Sequence, residues 1–213
     1  MDCNESFHAF QKTSTKEQYH AVPQLLQKHL PFIEGLLYGY KDLQELKGIF
    51  FVQENIRFMN FSGEQLLIPY PSCLFSFTSN YGQLTSSKCY CIKESKMEDL
   101  HEDSHLFAYP FGNVDPHDAC ICWGSNRLGL LSSYQDLKNL IVTFFSSESN
   151  ADYVTSGISF QNHKSYREFL STLCNANDFP KNTLVPSKQT PTLGMLLNEV
   201  ITNEENGETN ELY

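Results

Sequence analysis

The stretch that decides the fold runs from residue 48 to residue 92: Gly48-Ile-Phe-Phe-Val52, Ile56-Arg-Phe-Met-Asn-Phe61, Leu66-Leu-Ile68, Cys73-Leu-Phe-Ser-Phe77 and Leu84 to Ile92. Each is a short run rich in aromatic and β-branched side chains, which suit a pleated, half-buried surface. Between them stand Glu54-Asn55, Ser62-Gly63, Pro69-Tyr-Pro71 and Asn80-Tyr-Gly82, the residues that supply the unusual φ values of turns. The pattern predicts an antiparallel meander of four or five strands. Ile56 and Phe58 alternate with Arg57 and Met59, too loosely to choose the buried face.

Downstream the texture changes twice. Residues 93–105 are almost wholly polar and read as a solvated connection, and Phe107 to Asn126 is irregular and rich in Pro and Gly. Helical spacing then takes over. Leu137, Leu140, Ile141, Phe144 and Phe145 recur at i, i+3, i+4, i+7 and i+8, with Ser133 and Asp136 as a capping-box-like start. Tyr166, Phe169, Leu170, Leu173 and Cys174 repeat the spacing, with Asn162 as a cap. Leu193, Leu196, Leu197, Val200 and Ile201 form a third helix that begins at Thr190-Pro191. Strands first and helices after predict an α+β fold, helices packed on one face of an antiparallel sheet.

Upstream, residues 1–18 are polar and mixed. Leu25, Leu26, His29, Leu30 and Ile33 recur at helical spacing, but Pro23 and Pro31 confine any helix to about 23–30. After Thr202, Glu204, Glu205, Glu208 and Glu211 stand without apolar period, as in a mobile tail. The expected organisation is an N-terminal arm with a short helix over 1–47, a domain over 48–201 and an acidic tail over 202–213.

Composition bounds the function. The chain has 213 residues, 40% of them hydrophobic and 13% aromatic, too apolar for a disordered chain. It has no run near the roughly 18–20 apolar residues of a membrane helix. Met1-Asp2-Cys3-Asn4-Glu5 has neither the basic nor the apolar part of a secretory signal. Seven cysteines, an odd number in a chain without an export signal, point to free thiols and the cytoplasm. A formal net charge of −10, with Lys and Arg scattered, argues against direct nucleic-acid binding.

Several motifs carry chemistry on paper. His101-Glu-Asp-Ser-His105 matches the H-E-x-x-H string, but a zinc-protease helix must bury a face and this polar stretch has none to bury. Cys89-Tyr-Cys91 and Cys120-Ile-Cys122 are two C-x-C pairs. The first falls on a predicted strand, where the spacing gives two core side chains rather than a zinc knuckle. Nucleotide-binding glycine loops and a G-x-S-x-G serine elbow are absent from the sequence. What remains is Tyr109-Pro-Phe-Gly-Asn-Val-Asp-Pro-His-Asp-Ala-Cys-Ile-Cys-Trp-Gly124. A loop cysteine can be exposed and become a thiolate, and an Asn amide can donate to the oxyanion of a thioester intermediate. The same residues also suit an ordinary turn with Cys122 and Trp123 facing the core.

This segment resembles the PRTRC system protein B family, prokaryotic ubiquitin-conjugating-enzyme-like family D. The resemblance rests on Pro110-Phe111-Gly112-Asn113-Val114, a turn over Asp115–Ala119, and Ile121-Cys122-Trp123-Gly124. Ile68-Pro-Tyr-Pro-Ser-Cys-Leu-Phe75, Phe179-Pro180, Leu184-Val-Pro186 and Thr192-Leu-Gly-Met-Leu-Leu197 resemble further blocks of the family, so that residues 48–200 are covered. Membership implies a ubiquitin-conjugating (UBC)-like fold: an antiparallel meander, a cysteine-bearing loop and C-terminal helices. It implies a bacterial protein of a plasmid or mobile-element cassette. A ThiF-like activating enzyme and a ubiquitin-like modifier would be its partners, and neither metal nor organic cofactor its own requirement. Cys122 is then the candidate nucleophile that accepts the modifier as a thioester, and Asn113 the oxyanion donor; His117 or Asp118 would ease loss of the acceptor amine's proton.

The chain departs from the family pattern in four places. The loop between Asn113 and Cys122 is one residue longer, Asp118 stands for the usual turn Gly, Cys120 is an extra thiol, and no Thr-His-Pro-Asn-like block stands near Ser146–Asn150. Those departures leave room for a non-catalytic adaptor on the same fold that binds a modifier or a cassette partner.

Overall fold

Two left-handed turns set the register of the meander. Ser62 and Gly63 take φ of 51° and 76°, and Tyr81 and Gly82 take 51° and 77°. Two such residues in succession make the tight hairpin turn whose twist matches its flanking strands. In the computed structural model, which describes residues 33–202, these turns close β3 (Asn55–Phe61) onto β4 (Glu64–Tyr70) and β5 (Ser72–Asn80) onto β6 (Gln83–Ile92). The predicted strand at Gly48 is β2 (Glu45–Val52), and ahead of it β1 (Leu36–Lys41) forms a first hairpin that the sequence reading did not include. The short helix expected near 23–30 and the acidic tail after Thr202 lie outside the described residues.

The strands divide into two sheets. The larger runs β1-β2-β5-β6 and ends on the two-residue β7 (Phe107–Ala108), all antiparallel. The smaller runs β4-β3 and adds β8 (Glu148–Ser149), which pairs with β3 in parallel. Only Pro71 separates β4 from β5, so the chain bends from one sheet into the other where a turn was expected. Pro69 lies within β4, opposite Ile56. It is tolerated there because β4 is the edge strand of its sheet, where a missing N–H breaks no ladder.

The first long helix, α1 (Tyr134–Ser146), begins as the sequence predicts. Ser133 Oγ accepts the Asp136 N–H at 3.2 Å, and Asp136 also accepts the Ser132 N–H at 2.9 Å. Its buried residues, Leu137, Leu140, Ile141 and Phe144, press on the large sheet. The Phe144 ring meets Phe75, Tyr109 and Phe145 edge-on at 5.3–5.4 Å between centroids, the geometry aromatic quadrupoles favour. Arg57 stacks over Phe145 at 4.6 Å, and Met59 is buried. The face of β3 that the alternation could not choose is therefore the one carrying Arg57 and Met59; Ile56 and Phe58 are exposed. Cys73 lies opposite Cys91 in register, and Cys73, Cys89 and Cys91 are all buried. Burial pushes the Cys89 and Cys91 thiols up, as inert core sulfur requires.

Two caps differ from the sequence reading. Ser165, not Asn162, starts α2 (Tyr166–Leu173): its Oγ accepts the Glu168 N–H at 3.2 Å, and the Glu168 carboxylate reaches back to the Lys164 N–H at 2.8 Å. At the start of α3 (Leu193–Thr202), Thr192 Oγ1 accepts the Met195 N–H at 3.3 Å. Thr190, expected as that cap, instead takes the buried Tyr90 hydroxyl at 3.1 Å.

The segment from Val185 to Gly194 then runs back along residues 102–108. It is held by Ala108 N–H to the Val185 carbonyl, Leu106 N–H to the Pro191 carbonyl, and Leu193 and Gly194 N–H to the Ser104 and Glu102 carbonyls, at 2.8–2.9 Å. The H-E-x-x-H string is thus the seat of α3's first turn, and residues 101–105 contain no helix.

Candidate functional site

The loop between β7 and α1 is organised by Asn113. Its φ is 70°, a left-handed conformation that asparagine accepts more readily than most side chains. Its backbone carbonyl accepts the Cys122 N–H at 2.8 Å. Its side chain turns inward: Nδ2 donates to the Glu148 carbonyl at 2.8 Å, and Oδ1 accepts the Asn150 N–H at 3.4 Å. One residue therefore ties the cysteine segment to β8 and the chain just after it. Gly112 permits the approach, because a Cβ there would lie 1.8 Å from the Asn150 carbonyl oxygen.

Between Asn113 and Cys122 the chain turns back on itself. The Asp115 N–H meets the Cys120 carbonyl at 2.9 Å and the Ala119 N–H meets the Asp115 carbonyl at 2.8 Å. The two aspartates brace the turn, Asp115 accepting the His117 N–H and Asp118 the Cys120 N–H. Ala119 takes φ of 63° where the family pattern has a turn nearby. Beyond the turn the chain joins the large sheet's edge: Cys89 N–H to the Ala119 carbonyl and Ile121 N–H to the Ser87 carbonyl, both at 2.9 Å. Trp123 anchors the next residue, its indole N–H on Ser87 Oγ at 3.0 Å and its ring against Phe144. Cys122 is held between two fixed neighbours, with its own side chain exposed.

Cys120 is exposed as well, but its surroundings differ. Partial burial and Asp118 push its thiol up, with Lys88 pulling the other way. Lys88 stands opposite Cys120 on β6 and is ion-paired with Glu199 of α3, so its charge is shared.

Tyr153 stands a few residues beyond β8. The phenol is pushed above its ordinary range, by the Cys122 sulfur first and by Asp115 and Asp152 with it. The structure brings Asn113 and Cys122 together, through the Cys122 N–H on the Asn113 carbonyl. It leaves Asp118 occupied by the turn and His117 exposed on it. Among the described residues, no three His, Cys, Asp or Glu side chains are grouped to hold a metal ion, and no helix is long and apolar enough to cross a membrane.

Antiparallel sheets followed by helices, with a loop organised by an asparagine between them, have the arrangement of an E2-like, that is ubiquitin-conjugating-enzyme-like, fold. The chain belongs to prokaryotic E2 family D, whose model matches residues 11–187. That span takes in Asn113, Cys122 and Tyr153. It begins well ahead of residue 48, where the sequence resemblance began, and stops short of the Thr192–Leu197 block. No curated protein and no solved structure matches the chain.

Proposed function

We propose that this protein carries a ubiquitin-like modifier as a thioester on Cys122. The observation that carries the reading is the exposed Cys122 thiol at a backbone position fixed from both sides, by the Asn113 carbonyl and by the Trp123 anchor. In the loading step Cys122 Sγ attacks the modifier's C-terminal carbonyl, presented by a ThiF-like activating enzyme that spends the ATP. A new C–S bond forms as the carbonyl's bond to the activating enzyme breaks. In the transfer step an amine attacks that carbonyl, the C–S bond breaks, and the electron pair leaves on sulfur. Asn113 donates one amide hydrogen to Glu148; its second amide hydrogen is the one assigned to the oxyanion. The setting that fits is a PRTRC-type cassette of a plasmid or mobile element, this chain standing as its protein B.

A non-catalytic adaptor is the second reading, and one observation favours it. Both polar atoms of the Asn113 side chain are engaged by backbone groups, as a purely structural residue's would be. Mixing the full chain with a cassette ThiF-like enzyme, the ubiquitin-like protein and ATP separates the two on a non-reducing gel. A thiol-sensitive adduct that Cys122→Ala abolishes and Cys120→Ala retains is expected. Co-elution of the modifier without an adduct would establish the adaptor, and loss of the adduct in Cys120→Ala alone would move the nucleophile.

A further inference from the structure

We propose that the outer edge of β4 is an interface for a second copy of this chain, the two joined edge to edge about a two-fold axis at Leu66. This goes beyond the thioester reading and does not depend on it.

The first observation is the ladder. A two-residue hairpin closes on a pair that exchanges its N–H and C=O groups, here Phe61 and Glu64. Along β4 the backbone groups of residues 64, 66, 68 and 70 therefore face β3, and those of Gln65 and Leu67 face outward. Among the described residues no strand adjoins them, since β4 ends its sheet. The next outward position is Pro69, which has no N–H to offer. Proteins guard open edges with charge and proline. Glu64 and Pro69 guard β4 near its ends, and Gln65-Leu66-Leu67-Ile68 between them has neither.

The two sides of this edge are both apolar and unfilled. On one, Phe58 and Leu67 are register partners, with Ile56 two residues along β3; they are 60%, 51% and 46% exposed. β3 and β4 place no charged residue on that side, and its polar members, Asn60 and Gln65, hydrogen-bond to each other at 3.1 Å. On the other, a groove of about 260 Å³ lies between the hairpin and α2, lined by Phe61, Leu66 and Leu170 with Glu64 and Arg167.

Charge selects the occupant. A two-fold interface must complement itself. A chain of net charge −10 repels its own copy, so two copies meet where carboxylates do not oppose one another. Here one side is uncharged and the other carries one ion of each sign, Glu64 and Arg167. A strongly acidic or basic partner would find no complement. Pairing Gln65 with the partner's Leu67, and Leu67 with the partner's Gln65, satisfies the outward N–H and C=O groups of both copies. It sets Leu66 against the partner's Leu66 on the groove side and joins the two Phe58–Leu67 faces into one. The seam is short, which places it in the weak, micromolar class.

Sedimentation velocity of the full chain over a concentration series tests this. Leu67→Lys sets two lysines diagonally across the seam, about 7–8 Å apart, and is expected to weaken dimerisation about tenfold or more. Adding Gln65→Glu places a carboxylate opposite each lysine and is expected to restore the dimer, which a merely misfolded variant would not do. Positions 65 and 67 are exposed, so far-ultraviolet circular dichroism should stay that of wild type. A chain that is monomeric at every concentration overturns the proposal, as does a dimer that Leu67→Lys leaves intact. A monomer that binds the ThiF-like enzyme or the ubiquitin-like modifier through Phe58 and Leu67 would also overturn it and give the face to that partner.

Discussion

If Asn113 clamps three chain segments, its replacement has a size that can be worked out. Asn113→Ala removes the donation to Glu148 at 2.8 Å and the longer acceptance from Asn150 at 3.4 Å, together about 1–2 kcal/mol. It also places a Cβ-bearing side chain with no local polar compensation at φ 70°, which adds roughly 1 kcal/mol. The expected loss is about 2–3 kcal/mol, so a urea midpoint falls by about 1–1.5 M at a slope of about 2 kcal/mol/M. Asn113→Gly loses the same hydrogen bonds but accepts the left-handed φ freely, so it should be milder than alanine by about 1 kcal/mol. Trp123 is the only tryptophan and sits beside Cys122, so its fluorescence reports the loop while far-ultraviolet circular dichroism reports the whole domain. The clamp is refuted if Asn113→Ala stays within about 0.5 kcal/mol of wild type, the scatter of ordinary surface substitutions. It is also refuted if glycine is as damaging as alanine.

Other perturbations follow from the same contacts. Gly112→Ala places a Cβ 1.8 Å from the Asn150 oxygen; since neither backbone has a rotamer to yield, the midpoint should fall further than in Asn113→Ala, read by the same titration. Asp136 is held below its ordinary value of 3.8, first by the Ser132 N–H and then by Ser133, so its contribution is complete above that value and is lost as pH falls through the lower folded one. Asp136→Asn should therefore narrow the difference between melting temperatures at about pH 6 and about pH 3, and an unchanged difference would remove the capping argument. Glu199→Gln frees the Lys88 charge to act on Cys120; alkylation of Cys120 near pH 8 should quicken about threefold, half a pKa unit, and no change would mean that Lys88 does not reach that sulfur.

The parts of the fold legible in the sequence were those whose cause is local. Ser62-Gly63 and Tyr81-Gly82 mark turns because a left-handed φ must be supplied by the residues themselves, and both hairpins close there. Ser133-x-x-Asp136 marks a helix start for the same reason, and Ser165-x-x-Glu168 carries the same capping signal three residues beyond Asn162. β1 was not read, since Leu36-Leu-Tyr-Gly-Tyr-Lys41 is short and its strand character depends on pairing with β2. Pro69 and Pro71 looked alike as turn residues, yet only the sheet order shows that one of them lies on an edge. Asn113 and Cys122 could be singled out by residue type and resemblance. The Asn113 clamp could not: its hold on Glu148 and Asn150, beside the parallel pairing of β3 with β8, joins segments far apart in the chain that no local pattern encodes.

The two loop thiols show how much such distant contacts decide. Cys120 and Cys122 stand two residues apart, both exposed, and nothing in the C-x-C spacing ranks them. Their ranking comes from other elements. Asp118 belongs to the turn, Lys88 to β6 and Glu199 to α3, and together they set the field at Cys120; Asn113 and the loop after β8 set the surroundings of Cys122. A thiol that accepts a carbonyl from one protein and yields it to another must be reachable by both and fixed in direction. Cys122 meets the second condition through its own N–H on the Asn113 carbonyl and through the Trp123 indole held on Ser87. Cys120 is held too, its N–H bound by Asp118 within the turn, but partial burial and that same aspartate push its thiol up. In the thioester reading, what separates the two sulfurs is therefore the carboxylate field at Cys120, which neither their spacing nor their exposure encodes.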